Sequence, residues 1–178
     1  MFMRRTIIAG GLAALLAPLA RAEHYLDDNE AARLIFPDAD SFAPAPAELD
    51  KAAQKEIKSL SGMRVRDKSV TSLKALKDGK TAGWVYVDNV IGKHEFITYA
   101  AGIDASGAVR GIEVLEYRET WGWEIRNADW RNLFTGLTLK KPPKLGDTIT
   151  NISGATLSCR NVSDGVRRLL ATHAVLGR

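Results

Sequence analysis

Trp84-Val85-Tyr86-Val87-Asp88-Asn89-Val90-Ile91 alternates aromatic residues with valine, the habit of a strand whose side chains leave on opposite faces. Two similar runs follow, His94 to Ile103 and Val109 to Tyr117, joined by the turn Asp104-Ala105-Ser106-Gly107. Upstream, Ser69 to Leu76 reads as a strand that turns at Lys77-Asp78-Gly79-Lys80. This spacing predicts an antiparallel meander. On the N-terminal side, Asp27 or Asp28 caps a short helix carrying Ala31, Ala32, Leu34, Ile35 and Phe36, and Pro37 stops it. Residues 37–47, with three prolines, read as a loop, and 47–60 as a second helix. On the C-terminal side, Glu124 to Phe134 and Leu157 to Leu176 read as helices, the last with an apolar stripe of Val162, Val166, Leu169 and Leu170. The fold class is α+β: one domain, a twisted, mostly antiparallel sheet packed against helices.

The chain has 178 residues, 46% hydrophobic and 26% charged, which excludes collagen-like, low-complexity and wholly disordered classes. One cysteine, Cys159, rules out an intramolecular disulfide, C-x-x-C redox chemistry and cysteine-ligated iron–sulfur clusters. His24, His94 and His173 are too scattered to suggest a metal site.

Arg4-Arg5, an apolar run from Thr6 to Leu19 and Ala20-Arg21-Ala22 are the three parts of a secretory signal. The run is shorter than the roughly 20 residues of a membrane-spanning helix; the other reading is an uncleaved anchor. Three of the 25 basic residues (Arg4, Arg5, Arg21) fall in this segment, leaving 22 against 21 Asp+Glu. The pI near 9.3 therefore overstates the charge of the remainder. A nearly neutral domain offers no footprint for nucleic acid.

Ile152-Ser153-Gly154-Ala155-Thr156-Leu157-Ser158 leads into the last helix through small residues. Gly154 and Ala155 permit close backbone approach, and Ser153, Thr156 and Ser158 bring hydroxyls. Free N–H groups and the positive helix end favour a phosphate there. The alternative is an ordinary hydroxyl cap.

At these residues the chain resembles the FMN-binding domain family, which includes the flavoprotein subunits of sodium-pumping NADH:quinone reductase and of its ferredoxin-oxidising relatives. The family signature is Ser/Thr-Gly-Ala-Thr followed closely by Ser or Thr, and its threonine maps onto Thr156. The family often has an aspartate six residues earlier; here that position is Thr150. Gly92-Lys93-His94-Glu95 is similar to a segment of the small exported members. Tyr117-Arg118-Glu119-Thr120 followed by Trp121-Gly122 resembles the Glu-Thr-Pro-Gly loop of the larger relatives, with Trp121 in place of proline. The resemblance implies FMN held as a phosphoester on Thr156, installed outside the cytoplasm by a flavin transferase that uses FAD and magnesium. It implies a cofactor site of Ser153, Gly154, Ala155, Thr156, Leu157, Ser158, His94, Glu95, Tyr117, Glu119, Thr120 and Gly122, with no separate catalytic residue or metal ligand. The chain is read as three segments: a signal or anchor over 1–22, an N-terminal helical segment over 23–68 and, by the resemblance, an FMN-binding domain over 69–178.

His94 is either a flavin or phosphate contact or an unemployed surface histidine. Trp121, Trp123 and Trp130 are expected in the core, with stacking of one indole on the flavin as the alternative. Cys159 reads as a buried, apolar-like side chain. No Gly-x-Gly-x-x-Gly marks a dinucleotide site. The expected function is therefore an exported electron-transfer flavoprotein, periplasmic or on the outer membrane face, working with a membrane-bound cytochrome or quinone-linked reductase. Alternatives are a small flavin-dependent reductase with its own substrate, or a non-covalent FMN-binding module.

Overall fold

A computed structural model describes residues 23–119 and 121–178; the export segment read over 1–22, and Thr120, lie outside the described residues. In chain order the elements are β1 (Glu23–His24), α1 (Asp28–Ile35), β2 (Ser41–Pro44), β3 (Ala47–Glu48), α2 (Lys51–Ser61), β4 (Ser69–Lys77), β5 (Lys80–Ile91), β6 (Phe96–Asp104) and β7 (Val109–Tyr117). A 3-10 turn (Trp123–Arg126), α3 (Ala128–Asn132) and α4 (Thr156–Val175) complete the chain. The described strands form one antiparallel sheet in the order β1-β7-β6-β5-β4-β2, with β3 also on β4. The meander predicted from the alternating runs is its centre, with β5 and β6 in register from Gly83↔Asp104 to Ile91↔Phe96.

Alternation decides which helix each strand meets. Tyr86 faces the main core with Tyr99, Val162, Val166 and Leu170, whereas its neighbour Val85 faces a smaller core with Ala31, Ala32, Ile35 and Phe36. Thus α4 and α2 cover one face and α1 the other. Asp27 caps α1 by accepting from the N–H groups of Asn29 and Glu30 (2.8 Å each), and Glu30 reaches back to the Asp27 N–H. Gly165 lets α4 lie close to the sheet: a Cβ there would collide with the Tyr99 hydroxyl.

Several boundaries differ from the sequence reading. The proline-rich stretch 37–47 contains β2, an edge strand that ends at Pro44, where a missing N–H breaks no ladder. The second helix starts at Lys51, capped by Asp50, because Ala47–Glu48 pair with β4. The helix expected over 124–134 is split at Asn127, whose backbone is extended (φ −62°, ψ 132°). Finally, β6 begins at Phe96, not His94, because the N–H groups of residues 93–95 are engaged elsewhere.

Candidate functional site

The last helix begins at Thr156, one residue before the sequence suggested. Gly154 turns the chain into it at φ +83°, a left-handed conformation natural to glycine. Ala155 is the N-cap, and no side chain caps the helix. The first intrahelical bond runs from the Cys159 N–H to the Ala155 carbonyl (2.9 Å), so the N–H groups of Thr156, Leu157 and Ser158 precede the helical ladder. The ordinary hydroxyl cap is thereby overturned: the serines and threonine do not cap this helix. Thr156 is exposed, and the Asn151 side-chain amide donates to its Oγ1 (3.1 Å).

This helix start opens on a cavity of about 430 Å³. Gly154, Ala155, Thr156, Leu157 and Ser158 line one side; Lys93, His94, Glu119 and Trp121 line the other. Three distant parts of the chain therefore meet: the β5–β6 turn, the segment after β7 and the start of α4.

Glu119 ties two of them together. Its Oε1 accepts from the backbone N–H of Lys93, His94 (2.5 Å) and Glu95 (3.0 Å). Burial pushes its pKa up, but those three donors and the nearby His94 outweigh it and hold the carboxyl below its ordinary value. Gly92 leaves room for this approach, since a Cβ there would lie 2.6 Å from Oε1.

Behind the cavity, the Tyr117 hydroxyl donates to the Trp121 carbonyl, and burial raises its pKa. A Cβ on Gly122 (φ +91°) would meet that hydroxyl at 2.7 Å and the Ala155 Cβ at 2.8 Å. The loop after β7 thus leans directly on the turn before α4. Cys159, one turn into the helix, is buried, and burial raises its thiol pKa. It packs as a small apolar side chain.

Of the residues expected at the site, Thr156, Gly154, Ala155, Leu157, Ser158, His94 and Glu119 line the cavity. Ser153, Glu95, Tyr117 and Gly122 do not; Tyr117 and Gly122 support it from behind, and Glu95 contributes its N–H to Glu119. Thr120 lies outside the described residues. A Cβ on Gly154 would meet no atom of the chain within 4 Å, so within the chain itself the left-handed backbone angle, not crowding, favours glycine there. Sequence reasoning left three contributors out of the site: Lys93, Trp121 and Asn151. Trp121 is 79% exposed and Trp123 56%, so neither belongs to the core, whereas Trp130 does. Its place in the Glu-Thr-x-Gly loop was the available signal for Trp121; nothing local marked Asn151.

Among the described residues no group of His, Cys, Asp and Glu is arranged to hold a metal, and no helix is long and apolar enough to cross a membrane. Residues 92–171 match the FMN-binding domain family. The chain is 28% identical over 111 residues to an ion-translocating oxidoreductase complex subunit of Stutzerimonas stutzeri, covering 56% of this chain and 49% of that protein. It is 32% identical over 114 residues to the same-named subunit of Vibrio vulnificus (57% and 54%). It thus spans about half the length of these curated relatives. Its fold is similar to that of NqrC from Shewanella oneidensis (TM-score 0.56, 18% identity, 82% of this chain and 88% of that one). It is also similar to a Na(+)-translocating NADH-quinone reductase subunit from Parabacteroides distasonis (TM-score 0.52, 17% identity, 77% of each).

Proposed function

We propose, from the membership of residues 92–171 in the FMN-binding domain family, that this chain is an exported electron-transfer flavoprotein carrying FMN esterified to Thr156. The observation that carries the reading is the uncapped start of α4, with its exposed threonine hydroxyl, at the wall of the cavity. The residues there fit such a group. Three backbone N–H groups and the positive helix end suit a phosphate, Lys93 adds a cation, and exposed Trp121 and Leu157 offer apolar surface to a flat ring. Bound FMN would supply the redox chemistry. The chain's part is to hold the phosphate at Thr156, present the hydroxyl with Asn151 and wall the cavity with Trp121, His94 and Glu119.

In this reading residues 1–22 direct export to the periplasm or outer membrane face, 23–68 form the N-terminal segment and 69–178 the FMN-binding domain. Maturation would use a flavin transferase dependent on FAD and magnesium. The subunit names of the relatives support a membrane-associated redox partner within an ion-translocating reductase, of the cytochrome or quinone-linked kind.

Co-expression with an exported flavin transferase tests this. The mature protein is expected to gain one FMN less one water in mass, on the peptide containing Thr156. Flavin released by acid precipitation would instead establish the non-covalent module. Turnover of soluble donors and acceptors by the isolated protein would establish the reductase.

A further inference from the structure

The wall of the cavity facing α4 carries a second positive pole. Consecutive N–H groups at Lys93, His94 and Glu95 converge on one point, the geometry of a backbone nest that holds anions. That point is occupied by a carboxylate of the chain itself, Glu119 Oε1. The contact is built, not incidental: Gly92 is buried and side-chain-free where a Cβ would strike Oε1 and the Glu119 Cγ at 2.6 and 2.9 Å. It also costs β6 the residues 94–95, which alternation alone would have placed in the strand. Glu119, Lys93 and His94 all border the same cavity as Thr156.

We infer that Glu119 is a built-in anion that fills the positive pole of the Lys93–Glu95 turn, leaving the start of α4 as the pole open to a phosphate and so fixing which way round a phosphate-bearing ligand lies. This rests on the proposed FMN reading only for the identity of that phosphate. Glu119 is accordingly a positioning residue. It has one electrostatic consequence: its negative charge offsets the N–H dipoles of the turn at the cavity wall, and without it those dipoles face the cavity uncompensated. Reduced flavin carries more negative charge than oxidised flavin, so losing Glu119 favours reduction.

The test uses inorganic phosphate as the probe and the flavin-free protein, with backbone amides followed by NMR. In the wild type, phosphate is expected to leave the amides of residues 93–95 unmoved. In Glu119→Ala those three amides are expected to shift with phosphate, and in Glu119→Gln, which keeps an acceptor oxygen, to shift much less. Gly92→Ala keeps the charge but displaces the carboxylate, and should also admit phosphate to the turn. Phosphate shifts at 93–95 in the wild type, or none in folded Glu119→Ala and Gly92→Ala, would overturn the inference. A wild type in which residues 156–158 ignore phosphate would overturn the start of α4 as the open pole, whereas phosphate shifts there in a protein that takes no flavin would count against the FMN reading alone. In flavin-loaded protein the midpoint potential should rise in the order wild type, Glu119→Gln, Glu119→Ala. A flat or reversed order would overturn the electrostatic role.

Discussion

The two ends of α4 are built on opposite principles. At its start no side chain caps the helix, Thr156 and Leu157 are exposed, and the free N–H groups border an open cavity. At its end the side chains of His173 and Arg178 are drawn inward. His173 is buried with Nδ1 3.0 Å from the Tyr86 hydroxyl and its ring edge-on to Trp84. Just beyond, Arg178 donates to Ser72 Oγ and to the Ala45 carbonyl (2.9 Å each), tying the chain end to β4 and to the segment after β2. Between the ends, Arg168 and the Tyr99 hydroxyl share the Asp88 carboxylate (2.6 and 2.7 Å). One helix therefore uses its C-terminal half to hold the sheet and leaves the N–H groups of its first turn bordering the cavity. A helix start with unmet donors is costly unless water or an anion meets them; here the cavity admits either.

The comparison breaks most sharply at Thr156. Thr156→Val is expected to abolish covalent flavin completely, while stability, read by urea unfolding, changes by less than about 0.5 kcal/mol, as for an exposed position. A large loss of stability would mean that the start of α4 is structural after all. The mirror experiment is His173→Ala. It should cost about 2–4 kcal/mol, the range for emptying a large buried site, with flavin content per folded molecule unchanged. Loss of flavin from folded His173→Ala would show the two ends to be coupled.

A smaller effect is expected at Gly154. Since a Cβ there touches nothing, Gly154→Val should cost about 1–2 kcal/mol through its left-handed backbone alone. Gly154→Asn, which tolerates that conformation, should recover most of it in the same unfolding assay.

The smallest effect is pH dependence at the buried end. Burial, reinforced by the nearby Arg178 guanidinium, pushes the His173 imidazole from 6.5 down to about 4. The folded state then binds fewer protons than the unfolded chain between those values. The contribution of His173 to stability is thus fully present above about 6.5 and is lost as the pH falls towards about 4. Unfolding curves across that window should show wild-type stability declining more steeply with acid than that of His173→Phe. Parallel slopes would remove His173 from the account.

Much of this was legible from residues alone. Alternation in Trp84 to Ile91 and its neighbours specified the meander, because side chains on a pleated strand must separate to two faces. The apolar stripe of Val162, Val166, Leu169 and Leu170 specified the last helix, and Ser153-Gly154-Ala155-Thr156 marked its start as unusual. These are local signals: each is written within one element and follows from its period or its backbone angles. The cavity is of another kind. Glu119 meets residues 93–95 some 25 positions away, Gly122 leans on Ala155, and Asn151 turns back to Thr156. Whether Trp121 packs inside or borders a cavity depends on where the loop after β7 comes to rest, and residues adjacent in sequence carry no record of that. The sheet register and the seat of α4 bring these groups together, because hydrogen-bond geometry and close packing act between elements that no local period relates.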